Sequence, residues 1–254
     1  MAFELCINGV GDAFSTRHFG TNFLVRRGDF VLAVDCPDLY RRALAENAFA
    51  PLASAEGEYL DVDSISAMIL THLHGDHVNG LEMVAAYRRF VRGGVLPLHA
   101  SEAVLKDLWD RRLAVSLGVM WDGTQYIHYG PETYFDLREL AADASSAVGP
   151  FEVETRRTIH HLPTTALRIS DGDVTLGYSC DTAFDEGLND WLKDCDLILH
   201  ETSLGPAHTP LYKLMELPAE VREKMLVVHY PDDLVGLEIE ELTFARQGQV
   251  IQVG

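Results

Sequence analysis

The chain has 254 residues, of which 47% are hydrophobic and 23% are charged, values typical of a globular protein that can bury a large α/β core. Its 20 basic and 39 acidic residues give a formal net charge of −19, which argues against an extended nucleic-acid footprint. No apolar run approaches the roughly 18 residues needed to span a bilayer, and the N-terminal residues lack a signal-peptide pattern. We therefore expect a cytoplasmic protein without membrane contact.

The first part of the chain predicts three strands, at 3–8, 22–26 and 30–36, followed by a helix at 39–49. The third strand, FVLAVDC, is a continuous apolar run that ends on Asp35. A carboxylate at the end of a buried strand either caps the next loop or fixes the orientation of a metal-binding histidine.

The most informative stretch is THLHGDHVNG, residues 71–80, between a predicted buried strand at 67–70 and a helix predicted from Val78 onward. Its six central positions contain four side chains that can bind metal: His72, His74, Asp76 and His77. Imidazoles suit zinc and similar ions, and a carboxylate can bind one ion or reach a second. Because an extended segment alternates its side chains and the turn redirects the later ones, two neighbouring metal sites are expected.

The segment from about 81 to 150 is predicted to be a helical and aromatic-rich insertion. Two amphipathic helices, the second capped by Ser101, flank a short strand at 95–100, in which His99 is expected to be packed rather than a ligand. Five aromatic residues follow in 121–135. They fit either a satellite core or a pocket wall that stacks on a planar substrate ring, and the sequence does not separate the two.

The second half of the chain predicts apolar strands that end on metal-type residues. His160 and His161 end one strand, Asp181 ends the next, and His229 ends the last. A two-metal centre requires more ligands than the first motif provides, and these strand ends would project from one edge of a sheet.

The segment HLHGDH resembles the HxHxDH signature of the metallo-β-lactamase fold, and the later histidine, aspartate and histidine follow in that family's order. The resemblance covers the chain from Asp35 to His229. It implies an α/β, four-layer αββα sandwich, here formed by one domain over 1–254. It also implies that Asp35 holds a ligand histidine in its tautomer.

The resemblance assigns two metal sites that share one carboxylate. One site would be formed by His72, His74 and His160, the other by Asp76, His77 and His229, with Asp181 bridging the two. His161 competes with His160, because successive strand residues face opposite ways. Family members of the phosphodiesterase type have a proline three residues after this histidine and often an arginine eight residues after it. Pro163 and Arg168 have that spacing from His160, which favours His160 and leaves His161 as a pocket residue.

Two further motifs resemble the ribonuclease Z branch of this fold. His200-Glu201-Thr202 stands where that branch has His-Glu-Ala-Thr, and His208-Thr209 matches its later His-Ser/Thr dipeptide. The resemblance implies that Glu201 orients His208, which would protonate the leaving alkoxide. Asp76 is predicted to act in catalysis as well as in metal binding.

The combined pattern predicts a binuclear metal-dependent hydrolase, a ribonuclease Z-like phosphodiesterase of a small phosphodiester such as a cyclic nucleotide. Two divalent ions are expected, with Zn²⁺ favoured and Mn²⁺ or iron compatible. Only 20 residues separate His160 from Asp181, where tRNA-processing relatives carry a basic arm, so long nucleic acid is not expected as a partner. A thioester or lactone hydrolase similar to glyoxalase II, a non-enzymatic ligand-binding regulator, and a homodimeric assembly are the alternatives left open.

Overall fold

The computed structural model describes residues 3–47, 60–142 and 144–254. Its strands form two seven-stranded sheets and one short hairpin. The strands are β1 Phe3–Gly9, β2 Asn22–Arg27, β3 Phe30–Val34, β4 Ala67–Leu70, β5 Leu96–Ala100, β6 Val119–Trp121, β7 Tyr126–His128, β8 Phe135–Glu139, β9 Ser145–Val148, β10 Phe151–Arg157, β11 Thr165–Ser170, β12 Thr175–Tyr178, β13 Leu197–Glu201, β14 Met225–Val228, β15 Thr243–Phe244 and β16 Val250–Val253.

The helices are short and lie mainly after the strands of the two large sheets. They are α1 Tyr40–Asn47, α2 Gly75–Val78, α3 Leu81–Tyr87, α4 Glu102–Leu108, α5 Ala114–Leu117, α6 Glu186–Leu192, α7 Leu211–Met215 and α8 Ala219–Arg222. Two π-helical turns, Arg88–Arg92 and Trp109–Leu113, extend α3 and α4. Single 3₁₀ turns occupy Val62–Ser64, Pro131–Thr133 and Asp232–Leu234.

Each large sheet has an antiparallel half and a parallel half. The first sheet has the order β16-β1-β2-β3-β4-β5-β8, and β3, β4, β5 and β8 are parallel. The second has the order β15-β14-β13-β12-β11-β10-β9, and β12 to β15 are parallel. Parallel strands deliver their carboxyl ends to one edge of a sheet, so polar residues that follow several of them come together there.

The alternation of side chains along the strands separates two apolar layers. On β1, Leu5 and Ile7 belong to the core that faces the second sheet, whereas Cys6 belongs to the layer under α1, α3 and α4. An edge-to-face pair of Phe23 and Tyr178, with ring centroids 5.0 Å apart, joins the sheets. The predicted αββα sandwich is therefore confirmed.

Several local predictions need correction. The helix predicted from Val78 onward instead begins at Gly75, breaks after Val78 and resumes at Leu81. Ser101 occupies the N-cap position of α4, but its side chain makes no capping hydrogen bond. The helix predicted at 39–49 is observed as Tyr40–Asn47, and its last two predicted residues lie outside the described residues.

No helix in the described ranges is long and apolar enough to cross a membrane. The single domain over 1–254, the homodimer and the cytoplasmic location stay predictions.

Candidate metal centre

The first group of candidate ligands lies on the turn between β4 and α2. Close backbone contact fixes this turn against the end of β3, because the Cys36 amide donates to the carbonyl of His77 at 2.7 Å and the Gly80 amide donates to that of Cys36 at 2.9 Å. A Cβ atom on Gly80 would stand 2.1 Å from the carbonyl oxygen of Pro37. Only glycine permits this approach, which brings the motif against the sheet edge.

Three strand ends at the same edge adopt left-handed backbone conformations. The φ angles are 62° at Asp35, 50° at Cys180 and 53° at His229, all at non-glycine residues. Such conformations cost about 1–3 kcal/mol each and are found mainly at functional sites. Here they turn the chain directly after β3, β12 and β14, so that Asp35, Asp181 and His229 face one centre.

The structure brings His72, His74, His160 and Asp181 into one cluster, whose ligand atoms lie within 4.8 Å of one another. The Nδ1 atom of His74 is 3.2 Å from Nε2 of His72 and 3.0 Å from Nε2 of His160. Oδ2 of Asp181 is 3.7 Å and 3.6 Å from those two Nε2 atoms. His160, rather than His161, therefore occupies the position that the spacing of Pro163 and Arg168 favours.

The second cluster contains Asp76, His77, Asp181 and His229. Nε2 of His77 is 3.5 Å from Oδ2 of Asp76 and 3.3 Å from Oδ1 of Asp181. Nε2 of His229 is 3.8 Å and 3.4 Å from Oδ2 of the same two aspartates. Asp181 thus contributes an oxygen to each cluster, at the position to which the resemblance assigns a bridging ligand, and its binding of metal stays a prediction.

The donor set fits divalent metal ions. Bonds of about 2.0–2.1 Å in a tetrahedral arrangement place neighbouring ligand atoms about 3.3 Å apart, close to the observed separations. Among the described residues, Nε2 of His77 and Oδ1 of Asp181 are buried without a hydrogen-bond partner. Buried polar atoms are rarely unsatisfied, so their convergence on one point indicates an ion site.

Each cluster has partners that orient its imidazoles. Asp35 is fully buried and accepts hydrogen bonds from the amide and hydroxyl of Thr71, and its Oδ2 lies 2.9 Å from Nδ1 of His77. Nδ1 of His160 lies 2.9 Å from the carbonyl of Ala207. Both contacts leave Nε2 facing the cluster, which is the usual arrangement around metal-binding histidines.

The protonation of His72 and His160 suits metal binding, whereas His77 would have to give up a proton to bind a metal. Burial and the neighbouring His77 hold the pKa of His72 well below its usual value, and burial lowers the pKa of His160 to about 4. Burial alone would lower the pKa of His77 too, but Asp181 and Asp35 outweigh it and hold that pKa well above its usual value. His72 and His160 are therefore neutral at pH 7, the form that binds a metal.

Beside the clusters, His208 and Glu201 form a pair. Nδ1 of His208 lies 3.1 Å from Oε1 of Glu201, which also accepts from the amides of Thr182 at 2.8 Å and Thr209 at 3.3 Å. Burial raises the pKa of Glu201 to about 8. Burial would lower the pKa of His208, but its hydrogen bond to Glu201 outweighs this and raises it. The pair therefore retains a proton at neutral pH.

A cavity of about 330 Å³ opens over the clusters. Its lining includes Asp76, Asp181, His208 and His229, together with His161. Two larger surface clefts, of about 800 and 850 Å³, contain no residue of either cluster in their lining. The smaller cavity is the candidate active site, because it is the one of these three whose lining contains both residues of the two clusters and a candidate proton donor, His208.

The aromatic residues of 121–135 do not line this cavity. Tyr134 and Phe135 are buried in the layer under the helices, which confirms the satellite-core alternative for them. Trp121 and Tyr126 instead form an exposed pair on the β6–β7 hairpin. The cavity lining also includes Phe14 and Leu204, which the sequence does not predict because a single apolar residue in a loop gives no periodic signal.

Residues 3–251 match the family model described as anti-Pycsar protein Apyc1. The chain belongs to the Apyc1 family. The Apyc1 of Paenibacillus sp. (strain J14) is 34% identical, with 98% of this chain and 99% of that protein aligned. The Apyc1 of Bacillus phage vB_BveM-Goe7 is 29% identical over 98% of this chain and 97% of its own.

Solved structures show the same fold at low identity. The metallo-β-lactamase fold protein YhfI from Bacillus subtilis has a TM-score of 0.72 at 20% identity, covering 99% of this chain and all of its own. Human tRNase Z, short form, has a TM-score of 0.72 at 16% identity, with 99% of both chains covered. The predicted metallo-β-lactamase fold is confirmed. As an Apyc1-family member, the chain is a metal-dependent phosphodiesterase.

Proposed function

We propose that the chain hydrolyses a 3′,5′-cyclic pyrimidine nucleotide to its linear monophosphate. The observation that carries this proposal is the pair of His/Asp clusters that share Asp181 on the floor of one cavity, with His208 in its wall. Apyc1 proteins degrade cyclic pyrimidine nucleotides, which supports this substrate class. The cavity of about 330 Å³ lies in the range of roughly 300–1,000 Å³ that small ligands occupy.

Two divalent ions would be held by the two clusters, and the preponderance of imidazole among the ligands favours zinc. Bound there, they would activate a water and neutralise charge developing on the phosphate. His72, His74 and His160 would hold one ion, Asp76, His77 and His229 the other, and Asp181 both.

The chain itself supplies the proton. When a P–O bond of the cyclic diester breaks, the departing sugar oxygen becomes an alkoxide and needs protonation. The pair shares one proton, which His208 would deliver, and Glu201 orients the imidazole through the contact at Nδ1, which leaves Nε2 free for the substrate. Asp76 would act as a metal ligand. A glyoxalase II-like thioester hydrolase would have no use for this pair.

A direct test is elemental analysis of the purified protein together with hydrolysis of 3′,5′-cyclic UMP, 3′,5′-cyclic CMP and bis-p-nitrophenyl phosphate. We expect two metal ions per chain, turnover of the cyclic nucleotides, and loss of both metal and turnover in Asp181→Ala. Asp190→Ala is the matched control, because Asp190 lies exposed on α6, pairs with Lys193 and does not line the cavity. A fully metallated protein that hydrolyses none of the three substrates would refute the proposal.

A further inference from the structure

We infer that Phe14 and Leu204 are specificity-determining residues that hold the nucleobase at the mouth of the cavity. This inference rests on the proposed function, since it requires a substrate with a planar base. Both side chains line the cavity over the metal clusters, and they are 85% and 74% exposed. Because the clusters form a polar floor that suits the phosphate, an apolar rim is left to contact the other end of the substrate.

Single exposed apolar residues are common on protein surfaces and carry no function by themselves. Phe14 and Leu204 differ because one buried carboxylate links the two loops that present them. Oδ1 of Asp12 accepts from the amide of Phe14 at 3.0 Å, and Oδ2 accepts from the hydroxyl of Ser203 at 3.1 Å. Asp12 is 5% exposed, so this link is protected from water.

The loop that carries Phe14 is also anchored on its other side. Asp232 accepts from the hydroxyl of Ser15 at 2.5 Å, and from the amide and hydroxyl of Thr16 at 2.9 and 2.8 Å. At the base of the loop, the Gly11 amide donates to the carbonyl of Phe19. A loop held at three points presents Phe14 without a large entropy cost on binding, which is the condition for an effective stacking platform.

An aromatic side chain stacked on a base contributes enough binding energy to be measured by truncation. Substituting such a residue by alanine weakens binding by about 5- to 150-fold. Stacking tolerates any base, since every base has a π-face, so Phe14 selects substrates that bear a base over those without one. Leu204 contacts the opposite edge and confines the ring.

The experiment compares 3′,5′-cyclic UMP with the 3′,5′-cyclic phosphate of 1-deoxyribose, which lacks the base. For Phe14→Ala we expect KM for cyclic UMP to rise about 5- to 150-fold with kcat within about twofold of wild type, and no change on the base-free substrate. Phe14→Trp should restore KM, and Leu204→Ala should raise it in the same direction. Trp121→Ala is the control, because Trp121 is an exposed aromatic that does not line the cavity.

An unchanged KM in Phe14→Ala, or an equal loss on the base-free substrate, would overturn the inference. A rise in KM in Trp121→Ala, but not in Phe14→Ala, would show that the β6–β7 hairpin binds the base. That result would also overturn the inference. If wild type hydrolyses neither compound, the proposed function fails. Equilibrium binding of cyclic UMP then tests whether Phe14 stacks on the base. Equal affinity of wild type and Phe14→Ala for cyclic UMP would refute the stacking.

Discussion

Asp181 is the residue on which the centre depends. It is 1% exposed, and burial alone would raise its pKa, but His229 and His77 outweigh burial and hold the pKa well below its usual range. A buried carboxylate without such partners would be strongly destabilising. Burial disfavours the negative charge of Asp181, and two metal ions bound in the neighbouring clusters would both be attracted to this charge.

The pair of His208 and Glu201 predicts a dependence on the leaving group. In His208→Ala, kcat for cyclic UMP should fall about 10²- to 10⁴-fold, because an alkoxide leaving group needs the proton. Hydrolysis of bis-p-nitrophenyl phosphate should fall by less than about tenfold, because p-nitrophenolate leaves without protonation. Steady-state kinetics on both substrates measures the difference. His128→Ala, at an exposed histidine of β7, is the control, and equal losses on both substrates would contradict the role.

The pH profile tests the same pair. The pKa of His208 is raised above its usual value and the acid form is the active one, so below its usual pKa this group should be fully protonated and should not limit kcat for cyclic UMP. Activity should be lost as the pH rises through the raised pKa. Glu201→Gln removes the carboxylate whose contact raises the pKa of His208, while the burial that lowers this pKa remains. The alkaline limb should therefore move to lower pH. An alkaline limb at the same pH in wild type and Glu201→Gln would show that Glu201 does not set the proton affinity.

At the scale of the elements, the site depends on where parallel strands end. β3, β4, β12 and β14 are each followed by residues of the centre, and three of the four ends turn through a left-handed residue. These conformations are unfavourable locally and persist because the surrounding sheets fix both flanks. The geometry of the clusters is therefore maintained by sheet packing rather than by the loops alone.

Gly80 provides the test at this scale. In Gly80→Ala the new Cβ would clash with the carbonyl oxygen of Pro37 at 2.1 Å and with Cβ of Tyr40 at 2.9 Å, so the motif must move away from β3. We expect the free energy of unfolding to fall by about 1–3 kcal/mol, as for other overpacked sites, and metal content to fall with it. Gly94→Ala should change stability by less than about 0.5 kcal/mol, since its nearest neighbours are 3.9 Å away. Denaturant unfolding compares the two, and equal stabilities would contradict the prediction.

At the scale of the whole molecule, the two clusters join the two sheets. The residues of the 71–80 motif follow a strand of the first sheet, whereas Asp181 and His229 follow strands of the second. Ions bound between them would stabilise the native packing of one sheet on the other, because the unfolded chain cannot assemble the sites.

We therefore expect a chelator to lower the melting temperature. Metal at 1,000 times its dissociation constant stabilises a protein by about 4 kcal/mol, which corresponds to a shift of roughly 8–16 °C for a chain of this size. Calorimetry with and without chelator, and after addition of zinc, measures the shift. Asp181→Ala should melt at the same temperature in both conditions. A wild type unaffected by complete metal removal would show that the ions do not join the sheets.

The grouping of the candidate donor residues was predictable because part of their chemistry is local. HLHGDH lies on one turn, the later candidates follow apolar strands, and the resemblance to the metallo-β-lactamase signature completed the set, whose binding of metal stays a prediction. The choice of His160 over His161 also agrees with the observed clusters. The break between α2 and α3 was not predictable, because it follows from contact of Gly80 with the end of β3, far along the chain.

The sequence by itself determined the order of the strands that carry metal-type residues, and its resemblance to the metallo-β-lactamase fold and the ribonuclease Z branch implied the fold class and the pairing of Glu201 with His208. Only the tertiary structure decided which side chains form the mouth of the cavity. Phe14 and Leu204 meet there because Asp12 binds Ser203 across 191 residues and Ser15 binds Asp232 across 217. Periodicity and spacing report on neighbours along the chain, whereas loops brought together by such distant hydrogen bonds leave no local pattern to detect.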